Sequence, residues 1–182
     1  MKKYGYWIGL ALSIAVLITV ITLTAVGRAT VPDDDFEPVD TPTISFANPL
    51  TEVTTLKTFS NTALQYNSTL NVWQSHKAVD FAAEEGTEVY AVMDGTITEV
   101  TYNYLMGNIV KLDVGGGITV VYASLANDVP VKAGDTVTKG SVIGQVSDTA
   151  KSEANDGPHL HLEVLLDNEL VDPNLYLDLS EK

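Results

Sequence analysis

The chain of 182 residues contains no cysteine. Neither a disulfide framework nor a thiolate metal site can be built from it. Positive charge is also scarce. After Arg28 only seven lysines stand against all 24 acidic residues, a charge of −17. Such a surface repels nucleic acid and anionic lipid at short range; it suits a basic protein partner or is simply a solvated acidic surface. Helical periodicity is missing after Trp73, and there is no internal repeat. Histidine occurs three times, at His76, His159 and His161.

What is present is unevenly distributed. From Tyr4 to Gly27 no residue is charged, and most are apolar. At about 1.5 Å per residue, roughly 20 such residues cross a bilayer core of about 30 Å, so a single transmembrane helix is predicted here. The alternative is a cleaved signal peptide, whose apolar run is usually shorter, about 7–15 residues, and ends in a small-x-small site. Tyr4, Tyr6 and Trp7 suit the membrane interface. Lys2 and Lys3 precede the run and Arg28 follows it. The positive-inside bias therefore puts the N-terminus in the cytoplasm and the remainder outside the cell membrane. Residues 1–28 are the expected tip and anchor. Residues 29–49 hold four of the seven prolines among acidic residues. They read as a semi-rigid stalk that buries little apolar surface. Residues 50–182 form the expected domain, long enough for one core.

Within that domain, short β-branched runs alternate with glycine turns. TEVYAV, GTITEVTY, NIVKLDV, GITVVYASL, SVIGQVS and HLHLEVLL are separated by MDG, MGN, VGGG and KAGD. The layout is all-β, with antiparallel hairpins. The segment VTTLKTFSNTALQYNSTLNVW has no decisive periodicity, and LYLDLSEK after Asp172-Pro173 is expected to be a short closing turn.

The histidines fall into two motifs, HKAVD and HLH. Residues two apart on a strand share a face, so His159, His161 and Glu163 project together while Leu160 points away. His76 and Asp80 are four apart, a spacing that suits a tight turn entering a strand or a strand itself. Two imidazoles and one carboxylate make three ligands and leave a fourth position for water, the pattern of an open zinc site. The competing reading is hydrogen-bonded histidines filling a strand. Glu163 is either an orienting partner for an imidazole or a solvated strand residue.

HKAVDFAA, GTEVYAVMDGTI, GNIVKL, VYASL, VKAGDTVTKGSVIG and GPHLHLEV, in this order, resemble the lysostaphin/LytM metallopeptidase family from about Trp73 to Tyr176. The resemblance implies an antiparallel β-sheet with a narrow groove, and peptide cross-links of peptidoglycan as the substrate class. It implies zinc held by His76, Asp80 and His161, with His159 as a catalytic histidine beside it. Active members carry a second catalytic histidine in Tyr-x-His-Leu. Here the segment is Tyr122-Ala123-Ser124-Leu125, so Ser124 stands at that position. A serine hydroxyl cannot take up a proton near neutral pH as imidazole does. Ala78 replaces the glycine usual after the first histidine, and DTAKSEANDGP replaces a glycine-rich approach to His159.

The anchor, the stalk, Tyr66-Asn67-Ser68-Thr69-Leu70 ahead of Trp73 and His76, and Tyr-x-Ser-Leu together resemble the stage II sporulation protein Q branch of the family. That resemblance implies a zinc-binding interaction module in the intermembrane space of a forming endospore. Its partner would resemble stage III sporulation protein AH of the opposing membrane. An active endopeptidase and a regulator that activates a cell-wall amidase are the alternatives. Tyr102, Tyr104, Tyr122 and Trp73 could line a groove, with core packing the expectation for Trp73 and Tyr122.

Overall fold

The structure, a computed structural model, describes residues 44–177. The expected transmembrane helix and most of the expected stalk lie outside the described residues. Among the described residues no helix is long and apolar enough to cross a membrane. The last residues assigned to the stalk behave otherwise. Phe46 is buried in the core and stacks on Tyr176 with ring centroids 5.1 Å apart, and Ala47 donates its N–H to the Val92 carbonyl. The segment from Ile44 to Pro49 therefore packs with the domain.

Twelve strands and two short 3-10 helices make up the described residues. The strands are β1 (Thr54–Lys57), β2 (Ser60–Asn67), β3 (Val72–His76), β4 (Val79–Ala82), β5 (Glu88–Tyr90) and β6 (Gly95–Asn103). They continue with β7 (Gly107–Gly115), β8 (Ile118–Leu125), β9 (Thr136–Val137), β10 (Val142–Gln145), β11 (His159–Leu166) and β12 (Glu169–Val171). The principal sheet has the order β1-β4-β11-β8-β7-β6-β9, with β12 added to β11, and every pairing among these strands is antiparallel. β10 pairs with β5, and β2 with β3, as separate two-stranded sheets. The 3-10 turns span Lys151–Asp156 and Pro173–Leu175. All six expected β-runs contain a strand, and the undecided segment supplies β1, β2 and the start of β3.

Alternation along the strands separates core from site. On β11, Leu160, Leu162 and Val164 are fully buried on one face, joining Phe81, Val120, Tyr122 and Leu112 in the core. His159, His161 and Glu163 lie on the other face, as period two requires. Tyr122 is in the core as expected, its hydroxyl oxygen accepting the Val92 N–H at 3.0 Å. Trp73 is not. Its side chain is 66% exposed and tilts against Tyr66 across the β2–β3 hairpin. Two strands without a second layer cannot enclose an indole, so the core expectation for Trp73 is corrected.

One irregularity bears directly on the site. Between Thr55 and Lys57 the β1–β4 register shifts, so Thr55 faces Phe81 but Lys57, not Leu56, faces Asp80. A bulge of this kind inserts one residue and re-aims those after it. Without it the next partner of Asp80 would be Leu56, and Lys57 would turn to the opposite face.

Candidate metal centre

Four strands bring the site together in one row. Lys57 on β1 faces Asp80 on β4, Asp80 faces His161 on β11, and His161 faces Ala123 on β8. His76 closes β3, and a bend through Lys77 and Ala78 swings the chain into β4. That bend lets residues 76 and 80 meet, with His76 Nε2 3.1 Å from Asp80 Oδ2. His161 Nδ1 lies 2.8 Å from Asp80 Oδ1. The sequence-derived trio of His76, Asp80 and His161 is thus assembled, with the rings of the two histidines edge-on at 5.5 Å.

The outer ring nitrogens are held. His76 Nδ1 lies 3.2 Å from the Thr58 carbonyl, and His159 Nδ1 lies 2.7 Å from the Gly157 carbonyl. Each carbonyl can only accept, so each Nδ1 carries the proton and each Nε2 presents a lone pair inward. His161 is turned the other way, with Nε2 3.4 Å from Glu163 Oε1 and Nδ1 facing Asp80. Glu163 therefore stands where a carboxylate orients a metal-binding imidazole from behind.

The buried polar atoms of the site fit a metal ion. His76 Nε2, Asp80 Oδ2 and His159 Nε2 are buried without a hydrogen-bond partner. Such atoms cost free energy unless something fills the space between them. His76 Nε2 and Asp80 Oδ2 face each other at 3.1 Å, while His159 Nε2 lies to the side, 3.5 Å from Glu153 Oε2. A divalent cation held by His76, Asp80 and His161 would satisfy the first two, and zinc suits this nitrogen and oxygen donor set. When bound, such an ion polarises a carbonyl and makes water more acidic.

Sequence reasoning missed two residues here. Glu153, on the 3-10 turn, is only 5% exposed, with Oε1 3.6 Å from His76 Nε2 and Oε2 3.2 Å from His161 Nδ1. Lys57 Nζ reaches Glu153 Oε1 at 3.0 Å and Asp80 Oδ2 at 3.7 Å, and it also pairs with Asp156. The acidic run before His159 was visible in the sequence, but nothing local singled out Glu153 within it. Lys57 depends on the bulge, which leaves no pattern in composition.

Ser124 is fully buried, and its hydroxyl donates to the Ser147 carbonyl at 2.9 Å. Its φ of +60° is in the left-handed region. His159 lies beside the trio rather than within it, its Nε2 3.5 Å from Glu153 Oε2. Of the aromatics, Tyr102 lines a surface groove of about 560 Å³ with Met106, Ile109, Val121, Glu163 and Leu165.

Charge coupling in the site has a definite sign. Burial pushes the Asp80 carboxyl up, but the imidazoles of His161 and His76 outweigh it, and the result is lowered. Burial likewise opposes ionisation of Glu153, while His159, His161 and Lys57 pull it far below the usual carboxylate range. Burial disfavours charged His161 and His159, yet Asp80 and Glu153 raise the first well above its ordinary value, and Glu153 and the Gly157 carbonyl raise the second. In the metal-free protein the depressed carboxylates stabilise the fold above their unfolded values near 4 and lose that effect as pH falls. The raised histidines stabilise it below about 6.5 and lose that effect as pH rises through their folded values. Melting temperature in excess chelator is therefore expected to peak between about pH 4.5 and 6.5 and to decline above it. Zinc requires neutral imidazoles, so the melting increment on adding zinc should grow from pH 5.5 to 8. Scanning calorimetry across that range checks both. A chelated protein that gains stability from pH 6.5 to 8.5 would contradict the assignment of charge.

The sequence profile of Peptidase family M23 matches residues 74–173. The chain is 36% identical over 104 residues to DD-carboxypeptidase/endopeptidase Mpg of Neisseria meningitidis, covering 57% of this chain and 23% of that protein. It is 29% identical over 143 residues to stage II sporulation protein Q of Bacillus subtilis, covering 77% of this chain and 49% of that protein. Among solved structures, the complex of SpoIIIAH and SpoIIQ matches with a TM-score of 0.62 at 25% identity, covering 71% of this chain and 98% of the matched one. The chain thus spans about a quarter of the length of the first relative and about half of the second. The antiparallel sheet and the matched span agree, and the chain belongs to peptidase family M23.

Proposed function

We propose that this protein is a membrane-anchored, zinc-holding LytM-type domain that serves as an interaction module in endospore formation. In this reading the domain faces the intermembrane space and meets a protein resembling stage III sporulation protein AH. The likeness to stage II sporulation protein Q supports it, because that likeness extends over 143 residues against 104 for the Neisseria peptidase. The observation that carries the non-hydrolytic half is Ser124. At the position matching a second catalytic histidine stands a buried hydroxyl whose proton is already given to the Ser147 carbonyl. With that one hydrogen engaged it has none to donate to a developing oxyanion, and a hydroxyl does not take up a proton near neutral pH as imidazole does.

A peptidoglycan endopeptidase is the second reading, favoured by the peptidase relatives and by the assembled trio of His76, Asp80 and His161. Activation of a separate amidase has no observation of its own in its favour.

The charge of −17 after Arg28 favours a basic partner, and attraction of that kind is screened by salt. Mixing the full chain with a partner resembling SpoIIIAH should give a co-eluting complex at low salt that weakens as salt rises. Separate elution at low salt, with both proteins folded, would defeat the interaction reading.

A further inference from the structure

Glu153 is the one acid at the centre of the site to which the matched ligand set gives no task. We propose that Glu153 is a fourth protein ligand, so that the metal centre of this chain is closed rather than open. The proposal rests on the metal-binding reading of the site and goes beyond it by assigning the position otherwise left to water.

Geometry is the first argument. One ligand atom from each of His76, Asp80, Glu153 and His161 can be chosen so that all lie within 4.8 Å of one another. Bonds of about 2.0–2.2 Å to a tetrahedral zinc place neighbouring ligand atoms roughly 3.3–3.6 Å apart. The four contacts around the ring are 3.1 Å (His76 Nε2 to Asp80 Oδ2), 3.6 Å (His76 Nε2 to Glu153 Oε1), 3.2 Å (His161 Nδ1 to Glu153 Oε2) and 2.8 Å (His161 Nδ1 to Asp80 Oδ1). These contacts use both oxygens of each carboxylate; with one donor atom per residue the four lie within 4.8 Å of one another, and a tetrahedral zinc would draw them together.

The second argument is how firmly Glu153 is delivered. Its 3-10 turn is tied to two hairpins at once. Ser152 donates its N–H and its hydroxyl to the Leu105 carbonyl, at the turn between β6 and β7. The Asn67 side-chain amide donates to the Ser152 carbonyl, and Asn155 bonds Thr69 and Ser68 at the turn between β2 and β3. The Tyr66-Asn67-Ser68-Thr69 lead-in, which the trio does not use, is thereby a clamp on the acidic loop. A buried carboxylate costs several kcal/mol unless it is paired. Lys57 Nζ already pairs with Oε1 at 3.0 Å, and the clamped loop also holds this carboxylate between the His76 and His161 imidazoles, where a shared cation would reach it.

Charge is the third argument. Asp80, Glu153 and Asp156 against the Lys57 ammonium leave two negative charges beside neutral imidazoles, which one divalent ion neutralises. A site with four protein ligands is of the structural kind, stabilising the fold without presenting a water to substrate.

The test uses the full chain loaded with cobalt(II) in place of zinc, because cobalt's visible spectrum reports coordination. Azide binds where a position is open. The wild-type spectrum should not change on azide titration, whereas Glu153→Ala should shift with azide in the millimolar range. Zinc affinity, read by competition with a chromophoric chelator, should fall at least about tenfold in Glu153→Gln, whose shape is conserved. A wild-type spectrum that responds to azide, or unchanged zinc affinity in Glu153→Gln, overturns the proposal while leaving the three-ligand reading standing. A wild-type chain that takes up neither cobalt nor zinc overturns both. The azide measurement on wild type needs no variant, so poor folding of a substituted chain cannot mask the answer.

Discussion

His161→Ala should bind no stoichiometric zinc, and adding zinc should no longer raise its melting temperature. His161 meets three carboxylates in the site. Its Nδ1 meets both Asp80 and Glu153, and its Nε2 meets Glu163. Zinc held only by the folded state at a free concentration of about 1,000 times its Kd stabilises by about 4.1 kcal/mol. For a domain of this size each kcal/mol moves the melting point by roughly 3–5 °C, so wild type should lose about 12–20 °C on chelation. The variant should show none of that difference. It should also melt below chelated wild type, because Asp80 Oδ1 loses its hydrogen-bonding partner inside the protein, and breaking a buried charged pair costs about 3–5 kcal/mol. Elemental analysis with calorimetry, with and without chelator, measures both effects. One equivalent of zinc retained by His161→Ala would remove His161 from the ligand set.

The architecture was legible in the sequence wherever one face of a strand is buried. HLHLEVLL shows period two because Leu160, Leu162 and Val164 must enter the core, and the same alternation fixes which way His159 and His161 point. Even spacing on the strand showed only that His159 and His161 share a face; the choice of His161 to join His76 and Asp80 came from the family resemblance. Legibility failed where tertiary contacts outweigh local pattern. β2 and β3 form a two-stranded hairpin with largely exposed faces, so burial imposes no period on them, and Trp73 finds no core to enter. Phe46 sits among prolines and acids, yet its partner Tyr176 is 130 positions away. Glu153 and Lys57 are 96 positions apart, and they meet through a bulge and a 3-10 turn that carry no hydrophobic signature.

Purified wild-type protein is expected to release no new peptide termini from sacculi, at least about 10²–10⁴-fold below an M23 enzyme with both histidines, the usual cost of one missing acid–base or oxyanion group. Ser124→His alone should not restore cleavage. The left-handed φ at this position tolerates histidine better than most side chains. The site is nevertheless fully buried, and the substitution removes the hydroxyl that donates to the Ser147 carbonyl. An imidazole placed there also meets a centre whose remaining position Glu153 fills. The double substitution Ser124→His with Glu153→Ala removes that obstruction, and it should exceed either single change if the closed centre is the second barrier. Chromatographic analysis of muropeptides after overnight digestion separates the cases. Cleavage by wild type that Asp80→Ala abolishes would make the protein a working endopeptidase. It would also show that a group other than residue 124 stabilises the developing charge.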